Sequence, residues 1–103
     1  MSAVTITRHG SHNAGEYHAH IAGETAIGRL TWVQRGDVRI AEHTLVPAEI
    51  GGRRVAAELV AALVDDARTL GFRIDPACSY VAAAFRRHPE WAALRAQVRR
   101  DTA

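Results

Sequence analysis

Cys78, His43 and the run Gly51-Gly52-Arg53-Arg54 are the residues of this chain whose types and spacing suit chemistry. The glycines follow an apolar stretch, Val38 to Val46, that breaks at Pro47, and they precede a long amphipathic segment reaching Leu70. A strand that passes to a helix through two glycines leaves the N–H groups of the first helical turn unpaired and pointing outward, where phosphate is the common ligand. Gly51 and Gly52 keep no side chain between a ligand and the main chain, and Arg53 and Arg54 add planar donors suited to phosphate oxygens. Arginine at a helix N-terminus opposes the helix dipole, which favours a functional reason. A plain turn followed by a solvated arginine pair accounts for the same residues.

Cys78 stands just before Ser79, a helix-capping residue type, so a positive helix end would favour its thiolate. Against this, free cysteine is among the most buried residue types and often does nothing but pack. His43 lies on the predicted fourth strand, on the side of Ala41 and Leu45. If a fifth strand pairs with the fourth, His43 and Cys78 approach each other as a Cys/His pair; a histidine hydrogen-bonded at the sheet surface is the other reading. His18 and His20 share one strand face, with His9 and His12 close in sequence, yet no ligand set of recognisable spacing emerges, and no metal is expected.

These residues need elements to hold them. Val4 to Thr7 alternates as a half-buried strand, Glu16 to Ala22 and Ala26 to Gln34 follow as the second and third, and Val38 to Val46 is the fourth. Val38, Ile40, Thr44 and Val46 are expected on one face, with Arg39, Ala41, His43 and Leu45 on the other. A helix then carries Val55, Leu59, Val60, Leu63, Val64, Ala67 and Leu70 on one stripe and stops at Gly71. Phe72-Arg73-Ile74 makes a fifth strand, Ser79 to Arg87 a second helix, and Trp91 to Arg99 a third. The order predicts one α+β domain spanning residues 1–103, a mixed, mostly antiparallel sheet of about five strands. Its main helix follows strand four and two short helices end it, with strand five parallel to strand four.

Composition narrows the function classes. The chain has 103 residues, 48% of them hydrophobic and 23% charged, which is the balance of a globular domain. All 13 basic side chains are arginine, and a net charge of +2 is too small to argue for a nucleic-acid surface. No apolar run reaches membrane-spanning length, the N-terminus lacks a signal-peptide plan, and a lone cysteine fits a reducing compartment. A cytoplasmic protein is expected, as a monomer or as a homodimer pairing exposed sheet edges.

His43-Thr44-Leu45-Val46-Pro47, Gly51-Gly52-Arg53, Val55-Ala56, Leu59-Val60 and Ala67-Arg68 with Gly71 together resemble the small YjdJ-type branch of the GCN5-related N-acetyltransferases. Pro76-Ala77-Cys78-Ser79-Tyr80-Val81 and Phe85-Arg86-Arg87-His88-Pro89-Glu90-Trp91 continue the resemblance, which covers about residues 15 to 95. It implies a minimal acetyltransferase fold using acetyl-coenzyme A. The diphosphate would lie on the turn after the fourth strand and the pantetheine arm where strands four and five splay. Val46, Gly51, Gly52, Arg53, Arg54 and Val55 fall along that path, with Arg86 as a further phosphate contact and Cys78 near the thioester. His43 falls on the histidine of the branch's His-Thr motif.

Two positions depart from the pattern. The superfamily's turn reads Gln/Arg-x-x-Gly-x-Gly/Ala; Glu49 takes its first position and Arg54 its last, where a bulky side chain either obstructs the diphosphate or swings out to pair with it. Leu45 replaces a glutamate that relatives often carry, so one carboxylate that assists proton transfer is missing. The implied reaction is acetyl transfer to an amine of a small molecule or a protein. It proceeds by direct attack with His43 as base and Glu42 as a weaker alternative, or through an acetyl-Cys78 intermediate. The alternative is a catalytically inactive coenzyme A or acyl-group binding module.

Overall fold

The computed structural model describes residues 4–52 and 54–97; Arg53 and the last two residues of the predicted third helix lie outside them. Five strands, β1 (Val4–Gly10), β2 (Ala14–Ile21), β3 (Ile27–Arg35), β4 (Val38–Leu45) and β5 (Arg73–Pro76), form one sheet in the order β1-β2-β3-β4-β5. The first four are antiparallel neighbours joined by short turns, and β5 lies parallel to β4. The parallel pair requires a crossover, and helix α1 (Val55–Leu70) supplies it. A 3-10 turn at Ala48–Ile50, not anticipated from the sequence, stands between β4 and the glycines.

Alternation on the strands decides which face meets α1. Tyr17, Ala19 and Ile21 of β2, Leu30 and Trp32 of β3 and Ala41 of β4 are buried on that face, against Val55, Leu59, Leu63 and Ala67 of the helix. Leu70, expected on the apolar stripe, is instead 67% exposed. Gly28 of β3 sets how closely α1 can approach. A Cβ there would sit 2.6 Å from Val55 Cγ1. Val55 is β-branched and buried, with little freedom to turn aside. Gly28→Ala is therefore expected to lower stability by about 1–3 kcal/mol, the usual cost of overpacking, in urea unfolding. A variant as stable as the parent would show that the helix start is not clamped on β3.

At the other end of α1 a polar network ties five elements together. The Arg39 guanidinium is sandwiched between Trp32 and Phe72, 3.6 Å and 4.2 Å from the ring centroids, and its Nη1 donates to the Tyr17 hydroxyl at 2.8 Å. Tyr17 donates in turn to Asp66 of α1 at 2.8 Å, and Arg8 of β1 donates to both oxygens of the same carboxylate. Burial pushes the Tyr17 phenol far above its ordinary range, so it remains a donor. Burial raises the Asp66 carboxyl, but the hydrogen bonds from Arg8 and Tyr17 outweigh it and hold its pKa below the ordinary value. The folded state thus binds this proton less readily than the unfolded chain. The stability Asp66 contributes is present above the unfolded carboxyl pKa of about 3.9 and is lost as pH falls through the lower folded value. Asp66→Asn is expected to cost about 1–2 kcal/mol at neutral pH and to flatten the acid limb of a stability–pH profile. Arg8 is more than half exposed, so its share of that figure is small. An unchanged acid limb would remove Asp66 from the account.

The two short C-terminal helices are present, the second as a 3-10 helix with other bounds than expected. The first is α2 (Ser79–Arg87), and the second runs over Pro89–Leu94, after which the chain extends. Arg95 bridges Ile74, and the Ala96 N–H donates to the Ile74 carbonyl at 2.7 Å. The outer edge of β5 carries unpaired main-chain groups, and covering them takes precedence over continuing a helix. Trp91 packs edge-on against Phe85 and stacks on His88, closing this end of the core.

Candidate functional site

The site is built where β4 and β5 part. Their parallel ladder runs from Val38 opposite Arg73 to Ala41 opposite Pro76, and its final link is the Cys78 N–H donating to the Ala41 carbonyl at 2.8 Å. Beyond it β4 continues to Leu45 paired with β3 only, while the segment after β5 turns into α2. A bulge in β4 lies at the same level: Trp32 faces Ala41 and Thr31 faces His43, so Glu42 is the extra residue. The bulge shifts the alternation by one. Ala41 and Thr44 therefore share the helix-side face, and His43 and Leu45 point to the open face, contrary to the strict alternation expected from sequence. Thr31 bears the mark of this disruption, with a buried hydroxyl that has no hydrogen-bond partner among the described residues.

Thr44, rather than His43, is the strand residue brought to the thiol. Its Oγ1 lies 3.4 Å from Cys78 Sγ, while His43, the next residue back, is exposed on the other side of the sheet. The expected approach of His43 to Cys78 is thus not made, and the bulge is the reason. Cys78 is half-buried at the N-cap of α2 in extended conformation. Burial pushes its thiol up, but the Thr44 hydroxyl and the main-chain N–H groups of Val81, Tyr80 and Thr44 outweigh it, holding the pKa below the ordinary thiol value. The side chain closes no cap hydrogen bond, so these helix amides act on the sulfur as a positive field rather than as a formed cap. Such a thiol is a better nucleophile at neutral pH than a free cysteine.

The glycine turn lies beyond the other end of the open stretch. Ile50, fully buried, anchors the 3-10 turn in the core, and Gly51 and Gly52 are carried exposed above it. Gly52 has φ +77°, the left-handed conformation that favours glycine, and nothing lies within 4 Å of where its Cβ would be. Arg54 also adopts the left-handed region, at φ 60°, and is the N-cap of α1 with no side-chain cap bond. The first helical hydrogen bond is made by the Glu58 N–H to the Arg54 carbonyl, so the Val55, Ala56 and Ala57 amides come before the ladder begins. Val55 is itself buried, which leaves only its main chain to face a ligand. The Arg54 side chain is exposed.

A cleft of ≈ 490 Å³ opens beside Val46, lined also by Thr25, Ile27, Arg29, Leu45 and Pro47. Leu45, 58% exposed, forms part of its wall. Arg86 is exposed at the C-terminal end of α2, the end opposite Cys78. Thr44 is a site residue that the sequence reading missed, because its orientation depends on a bulge that no residue type announces. The sequence reading also set aside the histidines, yet His9, His18 and His20 are gathered on the open face with ligating atoms within 4.8 Å of one another; His12 is exposed in the β1–β2 turn and apart from them.

No helix among the described residues is long and apolar enough to cross a membrane. Nothing among curated proteins matches the chain. Parallel strands that part beside a glycine turn at a helix start, in a sheet of this order, are accounted for by a match of residues 16–94, from within β2 to the end of the 3-10 turn, to the family model described as GCN5-related N-acetyl-transferase, and the chain belongs to that family.

Proposed function

We propose that this chain is an acetyl-coenzyme A-dependent N-acetyltransferase of the small YjdJ-type branch, in which Cys78 takes up the acetyl group before an amine does. Family membership supports an acetyltransferase-like function. The single observation that carries the finer reading is the position and electrostatics of Cys78, a thiol of lowered pKa facing Thr44 where β4 has lost its β5 partner. The diphosphate is assigned to the amides that open α1 and to Gly51 and Gly52, with Arg53, Arg54 and Arg86 supplying positive charge. The pantetheine arm is assigned to the free edge of β4 from Val46 back to Thr44.

In the first step the Cys78 thiolate attacks the acetyl carbonyl, and coenzyme A leaves as its thiolate. In the second, the acceptor amine attacks the S-acetyl carbon, the amide C–N bond forms and the Cys78 thiolate is released. The proton lost by the amine is assigned to His43. His43 is exposed on the far face of β4, so this assignment takes the amine to arrive from that side. The acceptor is an amine of a small molecule or a protein. A second reading, a coenzyme A or acyl-group binding module without turnover, draws on Leu45, which offers the cleft no carboxylate.

Isothermal titration with acetyl-coenzyme A followed by intact-mass measurement tests the reading. Saturable binding with one acetyl group mapped to Cys78 is expected. Binding without an adduct would overturn the relay, and absence of binding would overturn coenzyme use altogether.

A further inference from the structure

We propose that the open face of the β1–β2 pair holds a divalent transition-metal site of the zinc class, made by His9, His18 and His20. This site lies apart from Cys78 and does not depend on acyl transfer. Antiparallel register puts Thr7 opposite His18, Thr5 opposite His20 and His9 opposite Glu16, so alternation sends all three imidazoles to the face away from α1. They converge on one point. Thr7 Oγ1 lies 2.7 Å from His9 Nε2 and 2.8 Å from His20 Nε2, and the His18 ring stacks on that of His9 at 4.0 Å between centroids.

The hydrogen bonds leave a free lone pair on two of the three rings. Glu16 Oε1 lies 2.7 Å from His18 Nε2 and accepts its proton, which fixes the tautomer with an unprotonated Nδ1. A hydroxyl has one proton, so Thr7 donates to one of His9 and His20, occupying that ring's Nε2 lone pair, and accepts an N–H from the other, whose Nδ1 stays unprotonated. One ligating nitrogen from each of the three rings lies within 4.8 Å of the other two, and an ion takes the place of the Thr7 proton at the ring that accepts it. Tetrahedral zinc with Zn–N bonds of about 2.0–2.1 Å needs a nitrogen separation of about 3.4 Å, a closure that half-exposed and exposed rings can make by small rotations. Three imidazoles beside a hydroxyl and a carboxylate select a borderline ion over calcium or magnesium, and leave a fourth position to water. An ion held this way links β1 to β2, and β1 is the outer strand of the sheet.

The test is titration of zinc chloride into tag-free, metal-stripped full chain by calorimetry, with cobalt(II) as a spectroscopic probe. One equivalent of zinc is expected, with tetrahedral cobalt d–d bands and a melting temperature that rises with zinc concentration. His18→Ala and His20→Ala are expected to lower affinity by at least about 100-fold, and Glu16→Gln by about 10-fold through the His18 tautomer. His12→Ala, which leaves the cluster untouched, is expected to bind as the parent does. Circular dichroism of each metal-free variant separates loss of the site from loss of the fold. Failure of the folded parent to bind, binding that survives His18→Ala with His20→Ala, or an equal loss in His12→Ala would each overturn the proposal.

Discussion

Gly52→Asp is expected to weaken acetyl-coenzyme A binding by about 100-fold or more, while Gly52→Asn weakens it by less than about 10-fold. Both side chains meet the same backbone at φ +77°, and both have open space for a Cβ, so the steric and conformational costs are matched. They differ in charge alone. A carboxylate about 4 Å from a phosphate at an effective dielectric near 20 costs about 4 kcal/mol, or nearly 1,000-fold, and exposure of the turn to solvent reduces this to the smaller figure given. Calorimetry on both variants reads the difference directly. Equal affinities for the Asp and Asn variants would show that no phosphate sits at this turn, whatever the rest of the site does.

Much of the frame was legible because it rests on local signals. The stripe from Val55 to Ala67 and Gly71 at its end specify α1, and Ser79 with His88-Pro89 bracket α2. The register of β1 with β2 is another matter. His9, His18 and His20 come from two strands, and only their pairing shows that the three rings share one patch. On β4 the periodicity misled: a strict alternation put His43 with Ala41, whereas the bulge at Glu42 turns His43 away and turns Thr44 toward Cys78. Bulges are set by the competing pairings on a strand's two sides, here β3 on one and the departing β5 on the other, and residue types alone do not record that. The end of the last helix at Leu94, short of the expected Arg99, has the same origin. Local helix propensity there yields to the need to pair the exposed edge of β5.

Those corrections shape what Cys78 is expected to do. With His43 on the far face, the thiol's activation falls to Thr44 and the amides of α2, so acylation should follow the thiolate fraction. Single-turnover acylation by acetyl-coenzyme A is expected to rise with pH and level off above an inflection that lies below that of an ordinary thiol. Thr44→Val keeps the side-chain shape and removes one donor to the thiolate. The inflection should then move to higher pH, with the plateau retained, since the helix amides remain. Cys78→Ala should lower transfer to an amine by on the order of 1,000-fold or more, against about 100-fold for His43→Ala, because removing the covalent carrier closes the route while removing a base only slows it. The opposite ranking, with Cys78→Ala active and His43→Ala crippled, would mean that the amine attacks the coenzyme thioester directly. In that event the Thr44→Val profile should not move either, since the thiol would no longer be in the reaction. The two variants therefore test the relay from independent sides, one through rate and one through pH dependence.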